Sequence, residues 1–569
     1  MQNLNKKIKI ALGNEKADIV FKNCKIANVF TSEFYMADIA VEEGVIVAIG
    51  EYEGINNIDI GGKIVCPTLF DGHVHIESSM VSPAEFTKIL LKSGVSSIIA
   101  DPHEIANVKG EVGLDYMLNA TEDLPVNVYF MLPSCVPVTK LETSGGVLDA
   151  EDLEEYKTHK RVVGLGEMMD YEGVIERDEE VIKKLEAFQD MVIDGHGPML
   201  TGNKLNAYFV SKIHTEHECS TVEEMNERLR LGMYIQLREA SGAKNLRTLL
   251  KGVNSHTIDR CFFCTDDRHP ESLLTEGSID NNIRIAMEEG IDPIDAIKMG
   301  AFNGPVAYGI KNIGAIAPNY LANFIVLDDL DTFKIRDVYI KGEKVVDNGE
   351  VIYEAHPYPI ESVGDSVNLP LIEKKDLFLD PVKMDGDLYI IKAIPDSLIT
   401  DAEKIESVTY TEDPIYDNAL KKLVVINRHT GEKNIAVSAI NGFGDFNGAL
   451  GTTIAHDSHN LIIIGSNDDD IMSVIDEIKK IGGGIVLVNG GKILDSLPLE
   501  IAGIMSSDTI ENVDKKLREI LDNCKDLGFD KEIDPIMTLS FMALPVIPSL
   551  KLTDRGLFDV DKFSYIWRN

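Results

Sequence analysis

The stretch Leu69-Phe70-Asp71-Gly72-His73-Val74-His75 ends an apolar run with two histidines two residues apart. On an extended strand, residues i and i+2 share a face, so both imidazoles project to one side and offer two nitrogen ligands to a single metal ion. Taken alone, the pair is explained equally well by two histidines on a solvated strand face, and the rest of the chain has to decide.

Other polar residues also close apolar runs. Glu167 ends Gly164-Leu165-Gly166-Glu167, and His196 sits in the glycine-flanked turn Asp194-Gly195-His196-Gly197-Pro198. The segment His214-Thr215-Glu216-His217-Glu218 holds two histidines three apart. That spacing turns two side chains to opposite faces of a strand, so one of the pair is expected to join the others. His217 lies nearer the carboxyl end and is the candidate, with His214 the alternative in a core or supporting role. Cys261-Phe262-Phe263-Cys264-Thr265 runs straight into Asp266-Asp267, and a charge after a buried run needs a partner. His73, His75, His196, His217, Glu167 and Asp266 supply enough nitrogen and oxygen for two divalent ions, with Glu167 as the bridge and room for a water. The donor set contains no sulfur. Imidazole mixed with carboxylate suits zinc, iron or manganese, and the carboxylate share tilts the choice toward manganese or iron.

These residues have to be positioned by something. Between Lys63 and Asp266 eight strand patterns are expected, ending near His75, His103, Pro133, Glu167, His196, His217, Arg238 and Asp266. Amphipathic stretches such as Pro83 to Lys92, Asp178 to Gln189 and Thr221 to Leu231 lie between them. Eight β-then-α units make an α/β fold of the (β/α)8 TIM-barrel type, whose active site lies at the carboxyl ends of the strands. Short Val/Ile-rich runs before it (Asp18 to Ile64) and after it (from Gly314) are expected to pair, so that residues 1–64 and 314–355 form one small β domain flanking the barrel at 65–313. Beyond His356-Pro357-Tyr358-Pro359 the texture changes, and residues 365–569 are expected to form an additional C-terminal α+β domain. Its Ser438 to Gly444 and Gly482-Gly483-Gly484 mark tight turns beside buried strands. No Lys-Ser or Lys-Thr follows those glycines, as a phosphate-binding P-loop would require.

A chain of 569 residues exceeds one hydrophobic core. Its net charge of −39 repels phosphate backbones and anionic lipid surfaces, which argues against nucleic acid and membrane and for a small neutral or cationic substrate. Seven scattered cysteines, an odd number, together with the lack of any apolar stretch of about 18 residues or leader-like start, predict a cytoplasmic protein. His75-Ile76-Glu77 with Cys261 and Cys264 superficially matches the zinc cytidine-deaminase signature. No proline precedes Cys261, however, and the two cysteines face opposite sides of a strand, so they are read as packing residues.

The chain resembles the amidohydrolase superfamily, whose members bind one or two metals through an HxH on strand one, histidines on strands five and six and an aspartate on strand eight. Many bridge two metals with a carboxylated lysine on strand four, where this chain has Glu167. Within the superfamily it is similar to the adenine deaminase family. The similarity is carried by Asp71 to Met80, Asp101-Pro102-His103-Glu104, Leu237-Arg238-Glu239 and Cys264 to Pro270, and in the third domain by Gly442-Phe443-Gly444, His456-Asp457-Ser458-His459-Asn460 and Leu497 to Gly503. The resemblance implies metal ligation by His73, His75, Glu167, His196, His217 and Asp266. It also implies two divalent ions, adenine as substrate, a homodimer and a place in purine salvage. On this reading a metal-held hydroxide attacks C6 of adenine, Glu104 hands a proton to N1, and Asp266 passes the water's proton to the departing ammonia, leaving hypoxanthine. His103 is expected in a supporting role or on the pocket floor, Arg238 and Glu239 as a salt bridge that shapes the pocket, and Asp267 near it. His456 and His459 are expected either to lean over the barrel mouth or to lie in a surface loop. Asn323 and Ala240 depart from the family's pattern without touching the proposed ligands. The competing readings are another amidohydrolase reaction, on a cyclic amide or a pyrimidine base, and a catalytically silent barrel serving as a scaffold.

Overall fold

The computed structural model describes residues 2–379, 386–395, 397–406, 414–417 and 420–569. Five strands come first: β1 (Ala17–Asn28), β2 (Glu33–Glu42), β3 (Val45–Gly50), β4 (Gly54–Asp59) and β5 (Ile64–Pro67). Eight more follow: β6 (Leu69–Val74), β7 (Val95–Ala100), β8 (Asn127–Leu132), β9 (Val162–Met168), β10 (Val192–Gly195), β11 (Thr215–Glu216), β12 (Tyr234–Arg238) and β13 (Cys261–Cys264). The sheet β6 to β10 and the sheet β11 to β13 are each wholly parallel. Parallel bridges from Ile193 to Ile213 and from Val74 to Asp266 join the two and close the ring. This is the expected eight-stranded TIM barrel, and its strands end where the sequence puts its polar residues.

The crossover helices form for local reasons. In the helix Pro83–Lys92, Ser82 caps the start by accepting the Glu85 N–H, Pro83 sits where no hydrogen bond is lost, and Phe86, Ile89 and Leu90 bury one face. The helix Val222–Leu231 opens on a reciprocal capping box between Thr221 and Glu224 and ends at Gly232 in the left-handed conformation.

After the barrel come β14 (Phe324–Asp329), β15 (Lys334–Ile340), β16 (Glu343–Asp347) and β17 (Glu350–Val351). Strand β14 pairs antiparallel with β5, from Phe324 opposite Pro67 to Leu327 opposite Ile64, so segments from both sides of the barrel share one nine-stranded sheet.

The C-terminal part holds an eight-stranded, mainly antiparallel sheet between Leu388 and Pro498 and a three-stranded sheet between Leu550 and Arg568. Gly482 caps the helix Asp468–Ile481 in the left-handed region, and Gly484 starts the next buried strand, a tight helix-to-strand turn. This part docks on the barrel mouth: Asn460 Nδ2 donates to the Thr143 carbonyl at 2.8 Å, and the Ser82 N–H donates to the Ser506 carbonyl at 3.0 Å. No helix among the described residues is long and apolar enough to cross a membrane. All seven cysteines are buried and unpaired, Cys261 and Cys264 among them, and burial pushes the Cys261 thiol up to about 12.

Candidate active site

The Asp71-Gly72-His73 corner is shaped by close packing. A side chain at Gly72 would overlap the Phe262 ring and approach the Phe263 carbonyl oxygen to 3.1 Å, so only glycine lets β6 lie this close to β13. Asp71 ties the same two strands, accepting the Thr265 N–H at 3.0 Å and its hydroxyl at 2.5 Å. Buried in this way, its carboxyl is raised to about 7, burial outweighing those hydrogen bonds.

His73 and His75 both turn inward, their Nε2 atoms 3.1 Å apart. His75 donates its Nδ1–H to the Asp101 carbonyl at 2.9 Å, which fixes the tautomer and leaves Nε2 as a lone pair facing the centre. Two such nitrogens held this close in a buried site need a shared cation or proton between them.

Glu167 lies at the middle of the cluster. Its Oε1 is 3.3 Å from His75 Nε2 and 3.7 Å from His73 Nε2; its Oε2 is 2.5 Å from His196 Nδ1 and 3.3 Å from His217 Nε2. The Glu167 N–H donates to Asp101 Oδ2 at 3.0 Å, and Ser134 Oγ donates to its carbonyl at 2.5 Å, so the strand end is anchored on both sides. Burial would raise the Glu167 carboxyl, but the surrounding histidines, His196 first, hold it well below the usual range.

Asp266 adopts a left-handed backbone (φ +57°), its N–H on the His73 carbonyl at 2.9 Å. This places Oδ1 3.2 Å from His75 Nε2 and 3.9 Å from His73 Nε2. A non-glycine residue held there is a strained feature of the kind found at functional sites.

The six sequence candidates are thus brought together; five of them fall into two overlapping sets able to hold an ion, and His196 groups with His217 and Glu218. His73, His75 and Asp266 form one, and His73, Glu167 and His217 another. Both nitrogens of the buried His217 ring lack a hydrogen-bond partner among the described residues, as does His73 Nδ1. An unpartnered imidazole nitrogen aimed at a carboxylate pair fits a divalent cation. His214 stays outside the cluster, half-buried and packed on Tyr234 at 5.1 Å between ring centroids, so the two histidines face apart as their spacing predicts.

His103 approaches closer than a supporting role demands: its Nδ1 is 3.5 Å from Glu167 Oε1, and with His75 and Glu167 it makes a third possible ligand set. Asp267 is half-buried and accepts from Ser78 Oγ at 2.5 Å. The expected Arg238–Glu239 salt bridge does not form. Consecutive residues on a strand point to opposite faces, and Arg238 instead donates to Asp266 Oδ2 at 2.6 Å and to both oxygens of Glu218. Glu218 is a residue the sequence reading passed over. Its Oε1 stands 3.6 Å from His217 Nε2 and 3.9 Å from His196 Nδ1. Asp101 is a second such residue, its carbonyl orienting His75 and its carboxylate anchoring the Glu167 N–H. The signal for both was adjacency, Glu218 directly after a candidate ligand and Asp101 two residues before His103.

His456 and His459 do lean over the barrel mouth. His456 Nδ1 is 2.9 Å from Glu104 Oε1, and His459 Nε2 is 3.9 Å from Glu104 Oε2.

Comparison with known proteins supplies the context for this geometry. Residues 64–345 match the amidohydrolase family, and residues 397–564 match the adenine deaminase C-terminal domain. Adenine deaminase 2 of Carboxydothermus hydrogenoformans is 44% identical over 98% of this chain and 98% of its own. Adenine deaminase of Clostridium acetobutylicum is 44% identical over 99% of this chain and 100% of its own. Adenine deaminase of Bacillus subtilis is 40% identical over 97% of each.

Proposed function

The chain belongs to the adenine deaminase family of metal-dependent amidohydrolases, and on that premise we propose that His73, His75, Glu167, His196, His217 and Asp266 hold two divalent ions beside the C6 position of bound adenine. The reaction is hydrolysis of the adenine C6–amino bond, which yields hypoxanthine and ammonia. The observation that carries the two-ion reading is the division of the Glu167 carboxylate, Oε1 toward His73 and His75, Oε2 toward His196 and His217. Manganese or iron suits a set so rich in carboxylate, with zinc also compatible. Bound ions supply positive charge that makes a water acidic enough to attack near neutral pH.

The chain's own groups move the protons. Asp266 Oδ2 is tied to Arg238, so Oδ1, which faces His73 and His75, is the oxygen that takes a proton from the attacking water and returns it to the departing amino nitrogen. Glu104, held as a carboxylate by its histidine partners, takes up one of the water's two protons and hands it to N1, where the ring receives the electron pair displaced as C6 becomes tetrahedral. The protons balance: one from water leaves on ammonia, and the other reaches N1 through Glu104, which ends ionised as it began.

Elemental analysis of protein purified without added zinc, paired with ammonia release from adenine, cytosine and a dihydropyrimidine, tests this reading. Two metal equivalents and activity on adenine alone are expected. Full activity in rigorously metal-free protein, or a preference for a pyrimidine or cyclic amide, would overturn it.

A further inference from the structure

Glu104 is the second residue of the helix His103–Lys109 on the barrel, yet both of its carboxylate oxygens face side chains of the C-terminal domain. His456 presents Nδ1 to Oε1 at 2.9 Å, and His459 presents Nε2 to Oε2 at 3.9 Å. We propose that His456 and His459 are positioning residues for the proton-transfer group Glu104, so that the C-terminal domain completes the active site.

The loop carrying the two histidines is held from several sides. The His456 ring stacks on Phe541 with centroids 4.5 Å apart and planes 19° from parallel, and the His456 backbone N–H donates to the Ser540 carbonyl at 3.0 Å. The buried Arg428 donates to the His459 carbonyl at 2.5 Å and to the Ala502 carbonyl at 3.0 Å, while His429 donates to the Ser458 carbonyl at 2.7 Å. Asn460 reaches across to the barrel at Thr143. A carboxylate that must meet one ring nitrogen needs such fixed partners, because a misplacement of about 1 Å can cost a hundredfold in rate.

Glu104, His456 and His459 also have the composition of a cation site. The tautomer argues for donors instead. His459 Nδ1 accepts the Ala455 N–H at 3.3 Å, so in the neutral ring Nε2 carries the proton and, 3.9 Å from Glu104 Oε2, has no lone pair to give a metal. The electrostatics agree with a donor–carboxylate pair: burial would lower His456, but Glu104 raises it to about 9, and the histidines hold Glu104 well below its usual range against burial.

This inference rests on Glu104 being the group that protonates N1. His456→Ala is expected to lower kcat by roughly a hundredfold while KM and bound metal stay near wild type, and added imidazole is expected to restore part of the loss. An Asn amide can donate from the place of the histidine Nδ1, whereas a Gln amide reaches the place of Nε2. His456→Asn is therefore expected to keep most of the activity and His456→Gln to lose it. Wild-type kcat in H456A, or equal activity in H456N and H456Q, would overturn the inference; if H456A fails to fold, the Asn–Gln contrast decides alone. Full activity in Glu104→Gln would instead overturn the reading of Glu104 on which it rests.

Discussion

Arg238 Nη1 donates to Asp266 Oδ2 at 2.6 Å, and the same buried guanidinium clasps Glu218, so one cation ties together two carboxylates that border the histidine cluster. Removing one partner of a buried pair leaves the other charges uncompensated, at a cost of about 3–5 kcal/mol. Arg238→Met is expected to lower the unfolding free energy by that order in urea titration and to reduce activity. Arg238→Lys keeps the charge but loses the fork, and is expected to retain the fold with impaired turnover. A Met variant as stable as wild type would show that the pair carries no structural load.

Glu104→Gln removes the acid without changing its size. Turnover is expected to fall by about 10²–10⁴-fold, the usual range for a general acid or base, with metal content near normal because Glu104 lies outside the ligand cluster. Steady-state kinetics with elemental analysis of the same preparation checks both halves. An active variant removes Glu104 from the mechanism.

Glu167 is expected to behave in the opposite way. Glu167→Gln keeps one oxygen acceptor and loses the charge that two pairs of histidines face, so metal per chain should drop from two to one or fewer, and activity with it. Unchanged metal stoichiometry would take Glu167 out of the bridging position.

Much of the barrel was legible because its strands end in polar residues directly after apolar runs; alternation said that only one of His214 and His217 would join the cluster, and nearness to the carboxyl end of the strand picked His217. The same alternation separates Arg238 from Glu239, which is why their expected salt bridge does not form. Glu218 was harder to see. Strand β11 stops at Glu216, so the chain has left the extended conformation by His217, and Glu218 need not alternate away from the cluster. The meeting of His456 with Glu104 spans two domains about 350 residues apart in the chain, and no local periodicity encodes a contact across a domain interface.

Gly72→Ala tests the packing beneath the histidine pair. The added methyl has to displace the Phe262 ring in the barrel interior, where overpacking typically costs about 1–3 kcal/mol. Because His73 follows directly, weakened metal binding is expected along with the lower Tm. A variant with normal Tm and normal metal content would mean that β13 can move without disturbing the site.

Lys551 offers a pH test that reaches the site from a distance. It is fully buried, with Nζ donating to the Leu398 carbonyl at 2.9 Å and to the carbonyl of Phe541 at 3.1 Å, the residue whose ring supports His456. Burial lowers its pKa from 10.5 to about 7. Between those two values the unfolded chain holds a proton that the folded chain lacks, so stability falls as pH drops from about 10.5 to about 7 and this contribution is constant below. The slope is about 1.4 kcal/mol per pH unit, an upper bound of roughly 4–5 kcal/mol across the window. Lys551→Met is expected to flatten the unfolding free energy against pH between about 7 and 10. It also removes the donor from the Phe541 carbonyl, so the stack under His456 should loosen and kcat should fall modestly while KM holds. An unchanged pH slope would mean that Lys551 stays protonated in the folded chain, its charge carried by the two carbonyls.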